Sequence, residues 1–148
     1  MKKLYYSYDL FIKDSQILVN LCRAFDADIL LAVARGGLTL SHLMAQALDI
    51  RNLFTLNSIH YEGEQKLDTF NIFNIPDLSF AKKVLIIDDI IDSGETMQEI
   101  LIILNNKYPN IEFKIATLFY KSTALIKPDF SVREANEWID FFWEVDIK

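Results

Sequence analysis

The chain has few of the residues that would indicate a disulfide-rich, membrane-spanning or multidomain protein. It has one cysteine among 148 residues, which excludes an internal disulfide. This Cys22 lies in an apolar helical pattern that favours a small core residue over a nucleophile. No apolar run approaches the ~20 residues that a membrane span requires, and no signal-peptide core follows Met1. With only four glycines and three prolines and no repeat or flexible linker, we expect one cytoplasmic domain over residues 1–148, without a membrane span.

Positive charge is also scarce in this sequence. The chain has 15 Lys and Arg residues against 21 Asp and Glu residues, so its formal net charge is −6. This balance argues against nucleic acid as the main ligand. No Cys/His cluster and no His-Glu-x-x-His helix indicates a transition metal. An acidic protein that handles polyphosphate would therefore need a metal ion and a few well-placed cations.

The sequence does contain a regular alternation of helical and strand-like apolar segments. The apolar spacing predicts helices over 9–25, 38–48 and 96–106, strands over 28–33, 53–59, 80–87 and 113–119, and a mobile polar loop over 60–69. Such alternation is typical of an α/β protein with a mostly parallel sheet and helices on both sides. In these folds ligands bind at the carboxyl ends of the strands.

The segment 84–96 carries the strongest chemical signal. Four strand-type apolar residues lead to the adjacent carboxylates Asp88 and Asp89, then to Asp92 and a Ser-Gly-Glu-Thr turn that opens a helix. The carboxylates could hold two sugar hydroxyls, directly or through a cation, and the backbone N–H groups of the turn could hold a phosphate. Each feature alone is more often a helix cap or a solvated strand end. Together they favour a site for a phosphorylated sugar.

Other residues with suitable chemistry follow the predicted strands or lie near the carboxyl end of the chain. Arg35 and Gly36 follow the first predicted strand, where they could contact a diphosphate, and Lys66 in the polar loop could close over a leaving group. Lys121 follows the strand over 113–119 and could donate to a ring carbonyl, while Trp138 could stack on a planar base. The alternatives are a tight turn, solvated lysines and a core tryptophan.

Taken together, these residues resemble a known family. Residues 84–96 resemble the motif that binds phosphoribosyl pyrophosphate (PRPP) in type I phosphoribosyltransferases. Four further segments resemble the bacterial xanthine-guanine phosphoribosyltransferases: 34–37, 119–121, 138–139 and 143–144. The resemblance implies the type I phosphoribosyltransferase fold, a mostly parallel sheet flanked by helices with a small hood formed by the C-terminal segment. It also implies purine salvage, in which a homodimer or homotetramer uses Mg²⁺ and PRPP to convert xanthine, guanine or hypoxanthine into its nucleoside monophosphate.

The same resemblance implies the residues that bind PRPP and the metal. The implied PRPP-binding residues are Arg35, Gly36, Asp88, Asp89, Asp92, Ser93, Gly94, Glu95 and Thr96. Asp88 and Asp89 would hold the ribose hydroxyls. Together with Glu144 they would hold Mg²⁺, directly or through substrate and water. In the family a non-proline cis peptide is common in the pyrophosphate loop that Arg35 and Gly36 would form.

The resemblance further implies the residues that bind the purine and catalyse the transfer. Lys121 would pair with the 6-oxo group, Trp138 would stack on the ring, and the backbone of Ile139 would contact its other edge. Asp92 would be the proton acceptor, and Arg35 and Lys66 would act on the leaving pyrophosphate. The chain departs from the family pattern at three places, which are His60-Tyr61, Ser122 and Phe142. These departures concern loop closure and the shape of the purine pocket, so no single purine is predicted.

Two other classes of protein are compatible with parts of the pattern. One is a PRPP-sensing regulator that keeps the fold and binds PRPP without turning over a base. The acidic net charge and the lack of an added domain count against it. The other is a receiver-type signalling domain, in which an acidic pair binds Mg²⁺ around a phosphoacceptor Asp. Receiver domains carry that pair early in the chain, whereas here it lies past the middle.

Overall fold

The computed structural model describes residues 2–62 and 68–148. Its strands are β1 (Lys3–Tyr6), β2 (Ile29–Ala34), β3 (Leu53–Glu62), β4 (Asp68–Phe73), β5 (Lys83–Ile91), β6 (Glu112–Tyr120), β7 (Phe130–Glu134) and β8 (Trp138–Phe141). Its α-helices are α1 (Tyr8–Cys22), α2 (Leu38–Leu48) and α3 (Glu95–Lys107), and a short 3-10 helix (Arg23–Phe25) follows α1. In the part of the chain that the structure describes, no helix has both the length and the apolar character needed to cross a membrane.

The main sheet has six strands in the order β4-β3-β2-β5-β6-β7. All of its pairs are parallel except the hairpin of β3 and β4. The carboxyl ends of β2, β5 and β6 therefore lie next to one another at one edge. A separate two-stranded parallel sheet joins β1 to β8 and forms the hood.

The core lies on both faces of the main sheet. Successive residues of a strand face opposite sides, so Leu85 and Ile87 pack in the cluster that includes α1 and α2, while Val84 and Ile86 pack in the cluster that includes α3. All four are fully buried. This explains why residues 84–87 of β5 are a continuous apolar run rather than an alternating one. Cys22 is part of the first cluster, where burial raises the pKa of its thiol to about 12, and its assignment as a core residue is confirmed.

The predicted fold class is confirmed, but several element bounds are wrong. The mobile loop predicted over 60–69 is wrong at both ends, because β3 continues to Glu62 and β4 begins at Asp68. The strand predicted over 80–87 begins at Lys83 and continues to Ile91, so the acid pair lies inside β5. The helix predicted over 9–25 ends at Cys22. The hood also includes an N-terminal strand that the sequence pattern did not predict.

Candidate active site

The acid pair lies near the carboxyl end of β5, largely out of solvent. Asp89 is 8 % exposed, and Asp88 is half-buried. The backbone N–H of Asp89 donates to Asp88 Oδ1 at 2.9 Å, and the N–H of Ile90 donates to Asp89 Oδ1 at 2.8 Å. Within the described residues no cationic side chain lies at ion-pair distance from either carboxylate. Burial raises the pKa of both groups, and the neighbouring charge of Asp89 raises that of Asp88 further.

The turn after β2 packs directly against the acid pair. An added Cβ at Gly36 would lie 2.7 Å from Asp89 Oδ2 and 2.9 Å from Asp89 Oδ1, so a side chain at this position would displace the carboxylate. The Ala34-Arg35 peptide bond is cis, as the resemblance implied for this loop. Arg35 itself is exposed. The turn after the first predicted strand and the acid motif are therefore in contact. This agrees with their expected positions at the ends of neighbouring strands.

The turn between β5 and α3 closes the other side of this site. Gly94 has a φ of 85°, a left-handed conformation that favours glycine. Ser93 Oγ accepts from the N–H of Glu95 at 3.2 Å, and α3 begins at Glu95. The turn is also held from outside, because the N–H of Leu125 donates to the carbonyl of Ser93 at 2.8 Å. The amino-terminal end of α3 is thus presented next to the carboxylates, in a position that suits a bound anion.

A cavity of about 320 Å³ lies between these elements. Its predicted lining residues are Arg35, Gly36, Asp88, Asp89, Asp92, Ser93, Gly94 and Thr96. Glu95, which was also predicted to bind PRPP, is not among them. Ser58 lines the cavity as well, but it was not predicted. The only signal for it in the sequence was its polar character near the end of the predicted strand over 53–59.

A second cavity of about 620 Å³ lies between the main sheet and the hood. It is lined by the predicted residues Asp89, Asp92, Lys121, Trp138, Ile139 and Glu144. Trp138 is 55 % exposed, so it is not the core tryptophan of the alternative interpretation. Ile139 is buried. Asn136 and Glu137 also line this cavity, although sequence reasoning did not single them out.

Asp89, Ile90 and Asp92 line both cavities, so the two spaces lie next to each other around the end of β5. Lys121 Nζ lies 2.6 Å from Asp92 Oδ1, and the side chains are 42 % and 63 % exposed. The backbone fixes this arrangement, since the N–H of Lys121 donates to the carbonyl of Ile91 at 2.9 Å. The sequence placed these two side chains on one crevice, but it did not predict that they pair with each other.

Negative charge is concentrated where the two cavities meet. Burial, followed by the charges of Asp89 and Asp140, raises the pKa of Glu144. Carboxylates whose pKa values are raised in this way fit a site for a cation, and carboxylate oxygens are ligands that Mg²⁺ prefers. In residues 2–62 and 68–148, no three His, Cys, Asp or Glu side chains are grouped closely enough to hold a metal ion by themselves. Lys66, the remaining predicted residue, lies outside the described residues.

Comparison with known proteins gives a consistent result. The model of the phosphoribosyl transferase domain matches residues 15–148. The xanthine-guanine-hypoxanthine phosphoribosyltransferase of Helicobacter pylori superposes with a TM-score of 0.91 at 37% identity, over 97% of this chain and 95% of that one. A purine phosphoribosyltransferase from Pyrococcus horikoshii superposes with a TM-score of 0.84 at 30% identity, over 100% of this chain and 97% of that one. The xanthine-guanine phosphoribosyltransferase of Desulfotalea psychrophila is 28% identical over 95% of this chain and 85% of its own length.

Proposed function

Because the chain belongs to the phosphoribosyl transferase family, we propose that it is a purine salvage enzyme. It transfers the phosphoribosyl group of PRPP to a 6-oxopurine and gives a nucleoside monophosphate and pyrophosphate. The observation that carries the proposal is that Asp89 and Asp92 line both cavities. A phosphorylated sugar in the first cavity and a planar base in the second would meet at these carboxylates.

In this proposal the first cavity holds PRPP. Asp88 and Asp89 accept hydrogen bonds from the ribose hydroxyls, and the turn over 93–96 holds the 5-phosphate through its N–H groups and hydroxyls. The charge of Glu95 points away from that phosphate, which agrees with its absence from the cavity lining. Arg35 and Gly36 contact the pyrophosphate, where the missing side chain of Gly36 lets the backbone approach closely.

Asp88, Asp89 and Glu144 are the residues that would hold Mg²⁺, directly or through substrate and water. When bound, the ion neutralises charge that develops on the pyrophosphate. Arg35 stabilises the same charge from the protein side, and we expect Lys66 to do the same. The bond to pyrophosphate breaks with oxocarbenium character at the anomeric carbon, so positioning and charge stabilisation supply most of the catalysis.

The second cavity holds the base. Trp138 stacks on the ring, the backbone of Ile139 contacts its edge, and Lys121 donates to the 6-oxo group. Asp92 accepts the proton that the ring nitrogen loses. In the free protein Lys121 and Asp92 hold each other at 2.6 Å. A 6-oxopurine offers an acceptor to Lys121 and a donor to Asp92. When it binds, Lys121 therefore still donates and Asp92 still accepts, but each does so to the base instead of to the other.

The proposal extends to the setting of the enzyme. We expect it to work in the cytoplasm as a homodimer or homotetramer. Sedimentation equilibrium of the purified protein would test the assembly, and a purely monomeric protein at micromolar concentration would contradict it.

The reaction is tested by mass spectrometry of purified protein with PRPP, Mg²⁺ and, separately, xanthine, guanine, hypoxanthine, adenine, uracil and orotate. The expected products are 6-oxopurine nucleotides only. Asp92→Asn is the matched variant, and it should lower turnover by about 10²-fold or more, which is far more than it lowers PRPP affinity. Binding of PRPP without any product would favour the regulatory alternative, and no binding of PRPP would refute the site.

A further inference from the structure

The hood strand β8 carries Trp138 and Ile139, two of the residues assigned to the base, yet no described strand of the main sheet pairs with it. Within the described residues its partner is β1, with Lys3 opposite Trp138 and Leu4 opposite Ile139. The position of Trp138 relative to the main sheet therefore depends on how β1 is held. Lys121, on the other side of the base cavity, follows β6 of the main sheet.

The last residue of β1, Tyr6, is fully buried and connects the two sheets. Its carbonyl accepts from the N–H of Phe142 at 3.0 Å, just after β8. Its ring meets Phe119 of β6 edge to face, with centroids 4.9 Å apart, and Phe141 of β8 at 5.8 Å. One side chain thus contacts both the strand that leads to Lys121 and the strand that carries Trp138.

The hydroxyl of Tyr6 reaches a buried carboxylate that an arginine also binds. It donates to Asp14 Oδ2 at 2.7 Å, and Asp14, on α1, is 2 % exposed. Arg133 of β7 donates to the same carboxylate through Nε at 2.6 Å and through Nη2 at 3.1 Å. Burial and the bond to Asp14 both raise the pKa of Tyr6, so the hydroxyl stays a donor. β1, α1 and β7 therefore meet at one carboxylate.

Arg133 belongs to the main sheet, whose strand β6 leads to Lys121. It lies opposite Phe119 in the register of β6 and β7, and Phe119 is two residues before Lys121 in the chain. The three residues consequently link the sheet that leads to Lys121 with the strand that supports Trp138. Neither Tyr6, Asp14 nor Arg133 lines the two cavities of the site.

We propose that Tyr6, Asp14 and Arg133, which we call the hood anchor, are positioning residues that set the width of the base cavity between Trp138 and Lys121. The inference rests on the proposed function, because it assigns this cavity to the base. The anchor does not touch PRPP, whose cavity is built from β2, β5 and the start of α3. Loosening the anchor weakens binding of the base and leaves binding of PRPP unchanged.

The test compares Tyr6→Phe with Tyr108→Phe, which removes a hydroxyl from the other face of the sheet. The Tyr108 hydroxyl accepts from the N–H of Leu78 at 3.1 Å and donates to the carbonyl of Pro76 at 3.2 Å. Both variants keep the ring and lose two or fewer hydrogen bonds, so both should lower the melting temperature. Only Tyr6→Phe should raise the KM for the base, by about 3- to 10-fold, with the KM for PRPP unchanged.

Hydrogen exchange provides a second readout that needs no turnover. In Tyr6→Phe the amides of β8 should exchange faster than in the wild type, while those of β5 should not change. If the wild type converts no base, the proposed function fails and hydrogen exchange still tests the anchor. Unchanged exchange in β8, or equal effects of the two variants on the KM for the base, would overturn the inference.

Discussion

Two groups of carboxylates are withdrawn from solvent in this protein, and their surroundings are opposite. Asp14 accepts one hydrogen bond from Tyr6 and two from Arg133. In the part of the chain that the structure describes, Asp88 and Asp89 accept hydrogen bonds from backbone N–H groups of their own strand and interact with each other, and neither faces a cationic side chain. Burial raises the pKa of these two groups, and no cation offsets it there.

The difference distinguishes a structural carboxylate from one that is held ready for a ligand. A buried charge without a partner costs folding free energy, and a fold keeps it where a ligand supplies the missing partner. Asp14 already has its partners, so it stabilises the fold. Asp88 and Asp89 have no cationic partner among the described residues, which agrees with a site for sugar hydroxyls and a cation. Four experiments would break or sharpen this contrast.

The largest effect is expected for Asp88→Asn. Removing a positioned charge from the site should lower kcat/KM by about 10²-fold or more. The same change should raise the melting temperature, because it removes a charge that burial makes unfavourable. Steady-state kinetics and calorimetry measure the two effects. Glu112→Gln, which changes an exposed carboxylate at the far end of β6, is the control and should alter neither. A lower melting temperature in Asp88→Asn would contradict the contrast.

Asp14→Asn should lower the stability of the fold, whereas Asp88→Asn should raise it. It removes the charge that Arg133 faces and weakens the bond from Tyr6. Because the Arg133 side chain is 42 % exposed and can turn into water, the loss should be modest, about 1–2 kcal/mol. Urea denaturation measures this loss, and isothermal titration should show unchanged PRPP affinity. A variant as stable as the wild type would show that Asp14 is not the structural partner described here.

Gly36→Ala tests whether the close contact between the turn after β2 and Asp89 matters for PRPP binding. The added methyl group would meet the carboxylate of Asp89, which can shift because it is the end of a side chain. We expect the KM for PRPP to rise by about tenfold, or about 1.4 kcal/mol, with little loss of stability. At Gly37 the same change meets the carbonyl oxygen of Ile87 at 2.5 Å, which cannot shift easily, so Gly37→Ala should mainly destabilise the fold. Equal effects of the two variants on stability would contradict this.

The smallest effect concerns pH. Burial raises the pKa of Asp88, Asp89 and Glu144 in the folded state. Their contribution to the free energy of unfolding is fully present below the pKa of the unfolded state, and it is lost as pH rises through the pKa of the folded state. The contribution of Asp28 to stability changes with pH in the opposite direction. The backbone N–H groups of Lys82 and Lys83 lower its pKa, so its contribution is present above about 3.8 and is lost as pH falls through the folded value.

Urea midpoints between about pH 4.5 and 7.5 should therefore decrease with rising pH in the wild type. The slope should be smaller in Asp88→Asn. Identical slopes for the two proteins would show that the acid pair does not titrate in this range.

Local patterns predicted much of the fold and of the candidate site. The run 84–87 is apolar on both faces, which required a buried parallel strand, and the two acids and the turn follow it directly. The turn of Arg35 and Gly36 was placed correctly for the same reason, since it also follows a buried strand. These features depend on residues that are close in sequence. The predicted end of α1 at Phe25 was wrong, because the apolar pattern continues through the 3-10 helix that follows Cys22.

The pairing of strands β1, β4, β7 and β8 was not predictable in this way. β1 and β8 have four residues each and lie at opposite ends of the chain, so neither has a local partner to indicate it. The hairpin of β3 and β4 runs through a polar segment that resembled a loop. The pairing of Lys121 with Asp92 likewise depends on how far apart β5 and β6 hold their ends.

The sequence by itself determined the central alternation of helices and strands from α1 to β6, apart from β4, together with the position of the acid motif and the turns that frame it, because burial on both faces and backbone geometry constrain neighbouring residues. Only the tertiary structure decided which carboxylate has a partner. Asp14 and Arg133 are 119 positions apart, and their contact exists because β1, α1 and β7 pack together. A charge is stabilised or left unpaired by groups that surround it in space, and that arrangement is set by the packing of the whole chain.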